Sequence, residues 1–152
     1  MSFASTSGTD PSTYPYVKGE WVKPGAMIVA PSAVDIEDDF LAKKCRLLVD
    51  NSGLYEAWAE EYPYPTFGKI NIVGSKFTDL IHEGKLTKDD VTDMGDILMG
   101  NAPGRQSDDD IIVYSVGGMP VEDVAWGSIC YRKALEMGIG VKLHLWDTPT
   151  LA

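Results

Sequence analysis

The sequence predicts an α/β protein, a partial parallel sheet with flanking helices, folded as one domain over residues 1–152. Three observations carry this. Short apolar runs at Met27–Ala30, Arg46–Val49 and Ile111–Tyr114 read as strands. Helix-type sequence lies between and after them, the alternation that a parallel sheet requires. The last run is β-branched and nearly all apolar, as in a strand covered on both faces.

In chain order, the first strand-like stretch is short, Ser2 to Ser5, and small polar residues follow it at once. A Lys-Pro-Gly turn precedes Met27–Ala30, and Pro31 and Ser32 end that strand. The acidic run from Asp35 to Asp39 reads as a helix start leading into Phe40, Leu41 and a lysine pair. Ser52 is placed to cap a short helix over "SGLYEAWAEE". The stretch "YPYPTFGKINIVGS" is punctuated by Pro and Gly and reads as a loop with room for one short strand. Two short helices fit residues 76–101, and Thr87 with Asp90 forms a capping-box variant. The best-marked element follows Ile111–Tyr114. Pro120 suits a first helical turn, Glu122 and Asp123 suit its dipole, and Gly138 stops it. Val121, Val124, Ala125, Ile129, Ala134 and Met137 share roughly one face. "GVKLHLWD" then reads as a final strand.

A domain of this length buries roughly 70% of its unfolded surface and needs no disulfide or metal staple. The two cysteines, Cys45 and Cys130, lack zinc-type spacing and read as buried free thiols in a reducing cytoplasm. Thirteen Lys and Arg against 23 Asp and Glu give a net charge of −10, a field that repels phosphate backbones and argues against nucleic acid. No run approaches the roughly 18 apolar residues of a membrane span. The opening residues have neither the basic start nor the apolar core of a signal peptide. The expectation is a cytoplasmic protein with no membrane partner.

The Ser115-Val116-Gly117-Gly118 break falls between a strand and a helix, where parallel α/β sheets hold ligands. Backbone N–H groups at a helix start favour anionic or carbonyl oxygens, although a glycine pair can also simply make the turn. Ser5, Thr6 and Ser7, and likewise Pro31, Ser32 and Ala33, end two further strands in small residues. That pattern is expected where a flat ligand crosses a sheet edge. Asp35, the acid nearest a strand end, is the candidate for acid–base work. Asp108-Asp109-Asp110 lacks the alternating spacing and distal Glu of a calcium loop and reads as a solvated turn. His82 and His144 have no evident third ligand, so no metal site is expected. Trp58, Trp126 and Trp146 read as core or interface. Fifteen glycines include no G-x-G-x-x-G, and the first βαβ unit that would cradle a pyrophosphate is lacking.

"DILMGNAPGRQSDDDIIVYSVGGMPVEDVAWGSICYRKA" resembles the C-terminal region of the ornithine cyclodeaminase/mu-crystallin family. There a short helix, "PGR", an acidic pair, a strand ending in Ser-Val-Gly and an "EDVA" helix follow one another. "GEWVKPGAMIVAPSA" resembles the family's "PGAH-x-NAVG" strand, and "SFASTS" its preceding "TATSS" strand end. The resemblance covers most of the chain but only the second half of a usual family member. It implies part of a Rossmann-like NAD(P)-binding domain, with NAD or NADP as cofactor and an amino or imino acid as substrate. Carried over, Ser5 matches the strand-end Thr near the nicotinamide. Pro31, Ser32, Ala33 and Val34 match the cofactor loop, and Ser115 and Val116 the Ser-Val lining cofactor and substrate. In the cyclodeaminases an Asp ends the "VGGD" loop; Val34 falls there, with Asp35 next. The resemblance therefore points toward imine reduction or amino-acid oxidation rather than ornithine cyclodeamination; one related branch is named for tyramine oxidase. The expected partners are a second copy or a complementing N-terminal subunit. The alternative is a catalytically inactive oligomerisation module that binds no dinucleotide.

Overall fold

The computed structural model describes residues 10–144. The expected strand at Ser2 to Ser5, with Ser5 itself, and the last three residues of the expected final strand, 145–147, lie outside these; its other residues, 140–144, carry no strand. The chain divides into two compact units, Met1–Gly118 and Met119–Ala152.

In the first unit, β1 (Tyr16–Val17) is followed by β2 (Met27–Ala30) and β3 (Asp35–Ile36). Then come α1 (Asp38–Lys44), β4 (Cys45–Val49), α2 (Ser52–Glu61) and α3 (Val73–His82). A 3-10 turn, Lys88–Asp90, leads into β5 (Val91–Asp93), α4 (Met94–Met99) and β6 (Ile111–Ser115). The main sheet has the order β2-β6-β4-β5, and β1 pairs separately with β3. Every one of these pairings is parallel. The α/β class with flanking helices is therefore as expected.

Register explains the core. Ile28, Val113 and Leu47 lie side by side, and so do Ala30, Ser115 and Val49. Alternation puts both rows on one face. There their apolar members join Val73, Phe77 and Leu80 of α3 and Tyr55 of α2 in the main apolar cluster. Each large aliphatic or aromatic side chain fully buried here contributes roughly 1.5–3 kcal/mol before entropy is counted.

Several local expectations change. Asp35 is not a helix residue: Asp35–Ile36 pairs with Tyr16–Val17, and the helix begins at Asp38. Backbone pairing outcompetes a weak acidic-start signal there. α3 begins at Val73, earlier than its polar sequence suggests, and the short β5 is a strand because β4 pairs with it. The Thr87–Asp90 box forms, the Thr87 N–H donating to Asp90 Oδ2 at 2.7 Å. Cys45 is half-buried, and burial pushes its thiol up to about 12. Cys130, however, is exposed rather than buried.

The "PGRQSDDD" turn is not simply solvated. Asp110 accepts from the Gln106 and Ser107 amides and from Ser107 Oγ, at 2.7, 3.2 and 2.9 Å. Arg46 donates to Gln106 Oε1 and to the Pro103 carbonyl, both at 3.0 Å. Gly25 donates to Asp109 O at 3.0 Å with φ +73, and a Cβ there would sit 2.3 Å from Asp108 O. This buckle closes the end of the sheet where β4 and β6 begin.

The second unit contains α5 (Pro120–Met137), with Pro120 in its first turn and Gly138 at φ 64 ending it. None of its residues is buried. Among the described residues, no helix is long and apolar enough to cross a membrane.

Candidate functional site

At the opposite, C-terminal edge of the sheet, Ala30, Ser115 and Val49 end three adjacent strands in register, with Asp93 beside Val49. Val116 N–H donates to Ala30 O at 3.2 Å, so the Val116 loop and the Pro31–Val34 loop leave the sheet together. Pro31 is exposed, whereas Ser32, Ala33 and Val34 are buried and Val116 half-buried. Gly118 has φ +78, a conformation glycine tolerates, and open space where a side chain would stand. The structure thus brings six of the expected residues, Pro31 to Val34 with Ser115 and Val116, to one edge.

Asp35 is placed differently. It lies on β3, and its carboxylate is paired with Lys76. The same ammonium reaches Asp38 at 2.8 Å and the Ile36 carbonyl at 2.6 Å. Lys76 is largely buried, so this group ties α3 to the β3–α1 segment. Burial would raise the Asp38 carboxyl, but hydrogen bonds from Lys76 and Lys85 outweigh that and hold it below its ordinary range.

The edge also carries polar groups that no local sequence signal announces. Ser115 is fully buried; its Oγ accepts from Gly74 N–H at 2.8 Å and lies 3.1 Å from Tyr55 Oη. Tyr55 Oη donates to Asp50 Oδ1 at 3.0 Å, and Gly118 N–H donates to Asp50 Oδ2 at 2.7 Å. A carboxylate can only accept, so the single phenol proton points to Asp50. Ser115 must then donate to Tyr55. Burial pushes the Tyr55 phenol strongly up, which keeps it protonated. Gly74 N–H is one of the free donors at the start of α3, and Ser115 satisfies it from another strand. A Cβ on Gly74 would fall 2.1 Å from the Tyr55 ring, so glycine is required there.

α2 is held in a similar way. Asn51, not Ser52, occupies its N-cap position, and the Ser52 amide and hydroxyl donate to Asp93 at 2.5 and 2.8 Å. A carboxylate at a helix start is favoured by the helix dipole. The clue available in the sequence was "LLVDN", an acid directly after a strand; its partner Gly118 stands 68 residues further on.

Trp58 packs edge-on against Tyr55 with centroids 5.4 Å apart; Trp126 is exposed, and Trp146 lies outside the described residues. Among the described residues, no group of three or more His, Cys, Asp or Glu is placed to hold a metal. His82 stacks on Tyr64 with centroids 4.4 Å apart.

The ornithine cyclodeaminase/mu-crystallin family matches residues 4–138. The chain belongs to that family. Its relatives include the alanine dehydrogenase of Archaeoglobus fulgidus, 30% identical over 91% of this chain and 39% of that protein. Another is the N-((2S)-2-amino-2-carboxyethyl)-L-glutamate dehydrogenase of Staphylococcus aureus, 28% identical over 87% of this chain and 35% of its own length. Among solved structures, an archaeal alanine dehydrogenase dimer with bound NAD superposes with a TM-score of 0.58 at 26% identity, covering 90% of this chain and 39% of that one. The Thermococcus litoralis Delta(1)-pyrroline-2-carboxylate reductase, in complex with NADH and L-proline, is alike in fold, with a TM-score of 0.60 at 23% identity. It covers 86% of this chain and 38% of that one. The chain therefore spans less than two-fifths of the length of these family members.

Proposed function

We propose that this chain forms the nicotinamide side of an NAD(P)-binding domain in an oxidoreductase acting on an amino or imino acid. One observation carries the reading: Ala30, Ser115 and Val49 end in register, with two small-residue loops above them. That is the edge where α/β sheets take nucleotides. Relatives named as alanine dehydrogenase and pyrroline-carboxylate reductase support the reaction class.

The residues fit the flat part of the cofactor. Exposed Pro31 and half-buried Val116 supply apolar surface, buried Ala33 and Val34 anchor their loop, and Gly118 leaves room. The Ser115 hydroxyl is committed to Gly74 and Tyr55, so its contribution to the ring is through the main chain. When bound, the nicotinamide supplies the hydride donor or acceptor. Asp35 is the group available for proton transfer, once released from Lys76. The glycine fingerprint that cradles a pyrophosphate is not in this sequence. Full activity therefore needs residues that supply it, from an N-terminal partner segment.

A second reading, an inactive oligomerising module, is favoured by the exposed apolar residues of α5. Titration with NADH and NADPH, read by energy transfer from tryptophan, separates the two. Weak or no binding by the chain alone, and binding beside a co-expressed partner carrying G-x-G-x-x-G, are the expected results. No binding in either case would leave only the module.

A further inference from the structure

Loops at a sheet edge hold a ligand only if something fixes them in place. Four chain segments meet at this edge: the β4–α2 turn at Asp50, α2 at Tyr55, the start of α3 at Gly74, and the loop from Ser115 to Gly118. Each is connected to the next by one hydrogen bond. In donor order the chain runs Gly74 N–H to Ser115 Oγ, Ser115 O–H to Tyr55 Oη, and Tyr55 O–H to Asp50 Oδ1. Gly118 N–H closes it from the other side at Asp50 Oδ2. Every hydroxyl in this series both donates and accepts, so none of its protons is spare. Neighbouring bonds in such a series polarise and strengthen one another.

The packing has no slack. A Cβ on Gly74 would meet the Tyr55 ring at 2.1 Å, and one on Gly117 would lie 2.9 Å from Leu54 Cδ2 and 3.1 Å from Tyr55 Oη. The two glycines let the chain close on the phenol from both sides.

We propose that Tyr55 is a positioning residue: its phenol, wedged between Asp50 and Ser115, fixes the Ser115–Gly118 loop and the start of α3 in one arrangement. Tyr55 touches no bound molecule in this role; it acts through Asp50 on Gly118. Only the purpose of the loop rests on the dinucleotide reading; the latch itself does not.

Tyr55→Phe in the full chain removes the hydroxyl and keeps the ring. Amide hydrogen exchange at Gly118 and Gly74 should then accelerate about tenfold, the value of one buried hydrogen bond. Exchange in the β4–β6 ladder should stay as in the parent. If the parent binds NADH, its Kd should rise by a similar factor well below the urea transition, where the variant is still fully folded, a loss that global unfolding would not produce. Unchanged exchange at Gly118 in a folded Tyr55→Phe protein would overturn the proposal. Should that variant not fold, the parent decides: slowly exchanging Tyr55 and Ser115 hydroxyl protons in its NMR spectrum support the latch, and rapid exchange of both refutes it. A parent that binds no NADH even beside a partner carrying G-x-G-x-x-G defeats the dinucleotide reading alone, because the exchange measurement needs no ligand.

Discussion

Asp110 accepts three hydrogen bonds within its own turn and lies 3.8 Å from Arg46 Nε. The Gln106 amide first, then Ser107, holds its carboxyl below the ordinary value of 3.8. A carboxyl depressed in the folded state stabilises fully above its unfolded pKa, and that contribution is lost as pH falls through the folded value. The parent should therefore lose stability on acidification below about pH 4. Asp110→Asn should flatten that part of the profile and lower the neutral-pH plateau, as measured by urea midpoints across the acid range. The residue sits at the opposite end of the sheet from the candidate site, so NADH binding at neutral pH should be unaffected. The sequence made the acidic run visible, but not that one of its three members organises the turn.

α3 shows what an element owes to tertiary structure. Phe77 is buried to 1% exposure in the same core cluster as Val49 and Tyr55, with Val73 and Leu80 one turn either side. Phe77→Ala should cost about 3–5 kcal/mol, seen as a lower urea midpoint with the same slope. The strands β2, β4 and β6 were legible because each is a short, largely apolar run bounded by turn or helix signals. α3's start was not, because Gly74 and Ser75 read as loop residues when seen alone. Glycine stands there because the Tyr55 ring occupies the space a side chain would take. β5 was missed for a related reason: three residues carry no periodicity, and only pairing with β4 makes Val91–Asp93 a strand.

At the scale of the whole molecule, unit Met119–Ala152 carries Val121, Val124, Trp126, Ile129, Leu135 and Met137, each more than half exposed. Apolar area of that density on a helix drives association. Sedimentation should show concentration-dependent self-association, and replacing Val124 and Ile129 with Lys should shift the chain toward monomer; a monomeric parent would refute this. The family resemblance and the strand-end rule located Pro31 to Val34, Ser115 and Val116 from sequence. Asp50, Tyr55 and Gly118 stayed hidden because their contacts join residues 5, 60 and 68 apart, and the longer two leave no local pattern. The strand order has a temporal consequence. β2 and β4 are complete by Val49 but share no pairing; β6, more than sixty residues later, joins both. A nascent chain thus holds two open strand edges until its central strand emerges from the ribosome. Such late, non-local closure slows folding and exposes the chain to aggregation on the way.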